Sequence, residues 1–154
     1  MKDKLITFIA TGAYIGFSPR APGTLGTLWG VAVVWLLSGH GIFWNAAAII
    51  AVTLVAVYTA HEAARIIGAK DPGCIVIDEV CGYMVASFMV PWGLQAAILA
   101  FILFRFFDIL KPWPVSVIDR EVGGGFGIVL DDVAAGVYAN IGTQIILMAA
   151  VWAL

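Results

Sequence analysis

Four long stretches without any charged residue constrain the fold of this chain more than any other feature. Residues 5–19, 21–60, 80–104 and 133–154 contain no Asp, Glu, Lys or Arg. Charged residues make up 12% of the chain, whereas an average soluble domain has about 25%. Half the usual charge, concentrated between long apolar stretches, predicts an integral membrane protein.

Turn residues divide these stretches further. The sequences SGHG at 38–41 and PWG at 91–93 are typical of turns. The apolar segments that remain are 24–37, 42–60, 75–90, 94–107 and 133–154. These segments predict an all-α, polytopic helical bundle with about four to five membrane helices. Several are shorter than the roughly 20 residues that cross a bilayer, so either the helices begin in the charged segments or the protein thins the bilayer locally. We expect one domain over residues 1–154, in which 5–19 forms an interfacial or re-entrant helix rather than a cleaved signal peptide.

The positions of the charges predict an orientation in the membrane. All eight Lys and Arg residues lie at the N-terminus, at Arg20, in 61–79 or in 105–132, and the turns at 38–45 and 91–95 have none. Cytoplasmic segments are the ones enriched in Lys and Arg. Alternating helices therefore place every charged segment on the cytosolic side. The net charge of −2 and the absence of basic patches give no indication of a nucleic-acid partner.

Two adjacent acids, Asp131 and Asp132, precede the last apolar segment. The glycines at 123–125 and 127 lack the context of a dinucleotide-binding loop, and we interpret them as a flexible connector. The two acids would then stand at the start of the last helix, where Asp caps the backbone and the helix dipole favours negative charge. Capping accounts for one aspartate better than for two.

Three other charged segments share the predicted cytosolic face. They are IVIDEV with Asp78 and Glu79, FRFFDILKP with Arg105, Asp108 and Lys111, and FSPRAPGTLGT with Arg20 and Thr24. The spacing of Arg105, Asp108 and Lys111 places them on roughly one helical face, and a simple Arg105–Asp108 ion pair is the alternative interpretation. The charges at 61–65 are typical of a solvated helix end.

Together these segments offer the chemistry of a metal–phosphate site. Carboxylates, water and phosphate oxygens are the ligands that Mg²⁺ takes. The arginines and Lys111 suit a phosphate group, and a loop of small residues before a helix can present backbone N–H groups to an anion. The joint placement of acids and bases on one membrane face favours a functional site over isolated ion pairs.

Four segments of the chain resemble the phosphatidylglycerophosphatase A family. They are SPRAPGTLGT, DPGCIVIDEVCG, FILFRFFDILKPWPV and GGGFGIVLDDVAAGVYAN, and the resemblance covers about residues 16–140. The resemblance implies a Mg²⁺-dependent phosphatase, multi-pass in the bacterial inner membrane, with its active site on the cytosolic face. Its substrate would be the membrane phospholipid phosphatidylglycerophosphate, and its products phosphatidylglycerol and inorganic phosphate.

The resemblance places the site in these motifs, and side-chain chemistry suggests roles within them. The expected metal ligands are Asp78, Glu79, Asp131 and Asp132. The expected catalytic residues are Glu79, Asp108, Asp131 and Asp132. The expected phosphate-binding residues are Arg20, Thr24, Arg105 and Lys111. Whether Asp108 is a base or a further metal ligand stays open.

Other functions have weaker support from the sequence. A headgroup transferase of the CDP-alcohol type would need glycine and arginine at positions where DDVAAG has neither. A histidine-dependent lipid phosphatase is not supported by His40 and His61 alone. An ion-coupled transporter would need polar groups along the membrane path, whereas the acids here cluster at one face.

Overall fold

A computed structural model describes residues 1–152, and within that range the chain is helical with connecting turns. The helices are α1 (Lys2–Ala10), α2 (Pro22–Leu37), α3 (Ile42–Ile67), α4 (Ile77–Ala86), α5 (Leu94–Leu110), α6 (Val115–Glu121) and α7 (Gly124–Trp152), with one short 3₁₀ turn at Ile15–Phe17. No strand occurs among these residues, which confirms the prediction of an all-α fold.

Helix α7 lies at the centre of the bundle and packs against α3, α4, α5 and α6. One core cluster joins α1, α3 and α7 and includes Ala60 and Val129. A second cluster joins α4, α5 and α7 and includes Tyr83 and Phe104, both fully buried. Small residues at several of these contacts allow close approach of the helix backbones.

Helix α7 begins before the apolar segment 133–154, within the preceding charged segment, and the interpretation of the glycines there as a flexible connector is wrong. Helix α7 begins at Gly124, and its first turn lies against α3. A side chain on Gly125 would collide with the Val57 carbonyl oxygen and with His61, and the Gly125 N–H donates a hydrogen bond of 3.4 Å to His61 Nδ1. The glycines are therefore needed for a helix contact.

The early start of α7 also overturns the capping interpretation of Asp131 and Asp132. Both residues lie in the interior of α7, about two turns after its first residue. Their backbone N–H groups have acceptors within the helix, so neither acid is needed as a cap. At the other end, residues 153–154 of the predicted helix lie outside the described range.

The boundaries of α3 and α4 also differ from those of the predicted segments. Helix α3 continues to Ile67, past the apolar segment that ends at residue 60, and the charges at 61–65 lie on its surface, where Glu62 and Arg65 form an ion pair of 3.0 Å. It ends at Gly68, whose φ of 79° suits a helix C-cap. Helix α4 covers only Ile77–Ala86 of the predicted 75–90.

Two helices are long and apolar enough to cross a membrane: α3, and the segment Gly124–Ala150 of α7. Only 11% and 22% of their apolar windows are buried, which differs from the mostly buried core helix of a soluble protein. Helices α2 and α5 have 16 and 17 residues. They would reach only about 25 Å, against a hydrocarbon thickness of about 30 Å. The numbers of membrane helices and of domains, and the interfacial position of α1, stay predictions.

Candidate active site

Two glycines bring the acids of α4 and α7 together. Asp78 and Glu79 lie in the first turn of α4, and Gly82 follows Asp78 by one turn. In α7, Gly136 follows Asp132 by one turn in the same way. A Cβ on Gly136 would collide with the Gly82 carbonyl oxygen, and a Cβ on Gly82 would lie 2.8 Å from the Asp132 carbonyl oxygen. Because neither glycine has a side chain, the two backbones touch beside the acids.

The result is a group of three carboxylates, which we call the acidic group: Asp78, Glu79 and Asp132. One oxygen from each lies within 4.8 Å of the others. Oε2 of Glu79 and Oδ2 of Asp132 are buried and have no hydrogen-bond partner among the described residues. Burial raises the pKa of Asp78, and the charges of Glu79 and Asp132 raise it further. Three crowded acids, two of which have an unused oxygen, fit a hard divalent cation, whose charge would offset their mutual repulsion.

Arg105 of α5 lies beside the acidic group. Its Nη1 is 2.7 Å from Asp108 Oδ2 and 3.8 Å from Glu79 Oε1. The predicted intrahelical pair with Asp108 is therefore present. The contact with Asp108 lacks hydrogen-bond geometry, so Nε and Nη1 of Arg105 are buried donors without an acceptor in the described chain. Buried donors of this kind are suited to an oxyanion.

The first turn of α2 lies against the same arginine. A Cβ on Gly23 would collide with Glu79 Oε1 and lie 3.1 Å from both terminal nitrogens of Arg105. The first N–H groups of a helix have no acceptor within it and carry partial positive charge. Thr24 is half-buried in this turn. Arg20, in contrast, is exposed and forms no ion pair within the described range.

A second charged group lies between α5, α6 and α7. Lys111 Nζ is 2.5 Å from Asp119 Oδ1 and 2.7 Å from Asp131 Oδ2. Lys111 ends α5 with a φ of 46°, so its side chain leaves the helical face that the sequence spacing predicted. Burial lowers the pKa of Lys111, but the two acids outweigh it and leave the pKa above its ordinary value.

The structure therefore separates residues that the sequence had grouped. Three of the four expected metal ligands form the acidic group, while Asp131 pairs with Lys111. Sequence reasoning overlooked Asp119 and the glycines at 23, 82 and 136. One signal was available, because an acid followed four residues later by glycine occurs in both DEVCG and DVAAG. The roles assigned to the site residues stay predictions.

Comparison with known proteins bears on the site. The profile of the family described as phosphatidylglycerophosphatase A matches residues 8–147. The chain belongs to this family. It is 36% identical over 134 residues to the phosphatidylglycerophosphatase A of Escherichia coli K12, covering 84% of this chain and 76% of that protein. It is 40% identical over 142 residues to the phosphatidylglycerophosphatase A of Haemophilus influenzae, covering 88% and 85%.

A third relative has a different name. A protein of Bacteroides thetaiotaomicron, provisionally named as a phosphatidylinositol-3-phosphatase, is 38% identical over 147 residues, covering 89% of this chain and 90% of that protein. No solved structure matches the chain. The resemblance seen in the four sequence motifs is confirmed, and the chain is an enzyme of the phosphatase class.

Proposed function

We propose that this chain hydrolyses the phosphomonoester of phosphatidylglycerophosphate, giving phosphatidylglycerol and inorganic phosphate. The observation that carries the proposal is the juxtaposition of the acidic group with the buried donors of Arg105 and the first turn of α2. Acids for a cation and donors for an oxyanion meet at one place, as phosphate-ester hydrolysis requires. The family and its two relatives of that name support this substrate.

The acidic group would hold Mg²⁺ through Asp78, Glu79 and Asp132. This set replaces the four ligands expected from the sequence, because Asp131 is engaged by Lys111. Oxygen ligands and the absence of a Cys or His ligand in this group favour Mg²⁺ over softer metals. When bound, the metal would supply positive charge for the phosphate oxygens and polarise the attacking water.

The phosphoryl group would be bound by donors from α5 and α2. Arg105 offers Nε, which is buried and has no acceptor, and Nη1, which forms an ion pair with Asp108 but donates no hydrogen bond. The backbone N–H groups of Gly23 and Thr24 in the first turn of α2 add donors at the positive end of a helix, and the Thr24 hydroxyl adds another. Arg20, exposed just before this turn, would contact the headgroup from the solvent side.

In the reaction, a water oxygen forms a bond to phosphorus while the bond from phosphorus to the glycerol oxygen breaks. Asp108 is the candidate for accepting the proton of this water, because Arg105 engages only its Oδ2 and leaves Oδ1. The same carboxylic acid can return the proton to the departing glycerol oxygen. Arg105 would offset the negative charge that develops on the transferring phosphoryl oxygens.

The position of the site relative to the two apolar helices supports a membrane substrate. The acids of α7 lie near the N-terminal end of its apolar segment, and α3 runs in the opposite sense toward the same charged segments. We propose that the acyl chains stay in the bilayer and that the phosphomonoester enters at the cytosolic face of the bacterial inner membrane. The enrichment of Lys and Arg in these segments supports that orientation.

Phosphate release by the purified protein tests the proposal. Phosphatidylglycerophosphate in detergent micelles would be incubated with Mg²⁺, or with excess chelator. We expect release that needs Mg²⁺ and that is much slower for Asp132→Asn than for the parental protein at the same Mg²⁺ concentration. Folded protein that releases no phosphate under any condition would overturn the proposal. Ion movement in sealed vesicles without phosphate release would favour a transporter instead.

A second candidate substrate follows from the Bacteroides relative. Phosphatidylinositol 3-phosphate presents the same kind of phosphomonoester on a different alcohol, and 38% identity over 147 residues makes it a specific alternative. The acidic group and Arg105 would serve either substrate, because both act on the phosphoryl group. Competition between the two lipids, compared by kcat/KM, identifies the preferred alcohol.

A further inference from the structure

Lys111 is paired with more negative charge than neutralisation requires. Its single positive charge faces two carboxylates, Asp119 of α6 and Asp131 of α7. Asp131 is only 5% exposed, so it needs a positive partner. The Asp119 side chain is 34% exposed and could be solvated by water without the lysine. The second carboxylate leaves the group with an excess negative charge, which indicates a role other than charge balance.

That role is directional. An ammonium group has three N–H donors at the end of a flexible chain of four methylenes, and one partner leaves it free to rotate. Two carboxylates from different helices occupy two donors of Lys111 and so define the direction of the third. The backbone at the base of this side chain is also restricted, because Lys111 has a φ of 46° and precedes Pro112.

We infer that Asp119 is a positioning residue, which acts through Lys111 to direct the remaining N–H of the ammonium group toward the substrate phosphate. This inference rests on the proposed phosphatase function. Lys111 binds Asp131, and Asp131 is the chain neighbour of Asp132, so the lysine is bound to the same turn of α7 that carries a carboxylate of the acidic group. Asp119 itself would touch neither substrate nor metal.

A double-mutant cycle tests whether Asp119 acts through Lys111. We expect Asp119→Asn to lower kcat/KM about tenfold, mainly through a higher KM, and Lys111→Met to lower it about a hundredfold, since a charge-assisted hydrogen bond is weakened or lost. The double variant should match Lys111→Met. Asp119→Glu should recover most of the activity, because its carboxylate still reaches the ammonium. Glu121→Gln, an exposed acid on the same helix, is the matched control and should be unchanged.

Phosphate binding gives a second measurement that does not depend on turnover. Titration of inorganic phosphate into the protein in the presence of Mg²⁺ should show weaker binding for Asp119→Asn and parental affinity for Glu121→Gln. If parental protein binds phosphate but hydrolyses no lipid, the proposed function fails while this comparison still decides the role of Asp119.

Three results would overturn the inference. Asp119→Asn could keep kcat/KM within twofold of the parental value, or it could leave phosphate affinity unchanged. Alternatively, kcat/KM of the double variant could fall below that of Lys111→Met by the same factor that Asp119→Asn causes alone. That result would show that Asp119 acts independently of the lysine.

Discussion

The contact between Gly82 and Gly136 leads to a sharp prediction, because it holds the acids of α4 and α7 together. In Gly136→Ala, the new methyl group would collide with the Gly82 carbonyl oxygen and lie 3.1 Å from Val85 Cβ. Neither neighbour is the end of a flexible side chain, so the helices themselves must separate. The separation acts one turn from Asp132 and from Asp78, and it enlarges the acidic group.

The expected magnitude combines two opposing effects on stability. Alanine is favoured over glycine in a helix interior by about 1 kcal/mol. Overpacking a close contact costs about 1–3 kcal/mol, so the net loss should be at most about 2 kcal/mol and the protein should stay folded. The effect on catalysis should be larger, because a displacement of about 1 Å at a reacting group can cost about a hundredfold in rate.

The assay compares phosphate release and the midpoint of thermal unfolding in detergent for Gly136→Ala and Gly142→Ala. The control makes the same change on the same helix, but its Cβ meets only the terminal methyl Cδ1 of Leu103, at 3.2 Å, which can move. We expect the control to have parental activity and equal or higher stability. Activity of Gly136→Ala within about twofold of the parental protein would refute the argument that this contact sets the spacing of the carboxylates.

The remaining predictions concern the charged residues. Asp132→Asn should raise the Mg²⁺ concentration for half-maximal activity by at least about tenfold, as a Mg²⁺ titration would show, because it removes one ligand charge; an unchanged Mg²⁺ requirement would contradict its role as a ligand. Arg105→Lys should lower kcat/KM about tenfold or more despite its conserved charge, since lysine cannot reproduce the guanidinium donors, and full activity would contradict donation by Nε and Nη1. The paired acids raise the pKa of Lys111, so its stabilising charge is fully present below the ordinary lysine pKa of about 10.4 and is lost only as the pH rises through the higher folded value. The stability difference between parental protein and Lys111→Met should therefore not shrink from pH 6 to pH 9 in thermal unfolding, and a gap that closes within this range would contradict the pairing.

The helices were predictable where apolar residues alone determine them. The charge-free stretches indicated α2, α3, α5 and most of α7, because long apolar segments have few alternatives to a helix in a membrane. The start of α7 was missed because glycine has a low helix propensity, so a segment with four glycines does not look helical from its sequence. What overrides it is a tertiary contact: only glycine lets α7 approach Val57 and His61 of α3.

The acid motifs indicated which segments form the site, but not which acids belong to the acidic group and which pair with Lys111. Adjacent residues on a helix point about 100° apart, so Asp131 and Asp132 cannot both face the same neighbour. Which of them faces α4 depends on the rotation of α7, and that depends on Gly136 and its contact with Gly82. The partner of Asp131 depends in turn on the left-handed backbone of Lys111, which has no signature in a helical pattern.

This division explains why an apolar helix can contain two adjacent acids at all. A buried carboxylate needs a positive partner. Two neighbouring carboxylates that shared a single positive partner would repel each other. Asp131 has Lys111, whereas Asp132 faces two further acids. Each aspartate also has one buried oxygen without a hydrogen-bond partner among the described residues, so the difference between them is the lysine. Of the pair, Asp132 is thus the one whose charge calls for a cation, while Asp131 is already compensated by the protein. In the proposed function, Asp132 would help to hold the cation, while Asp131 holds Lys111.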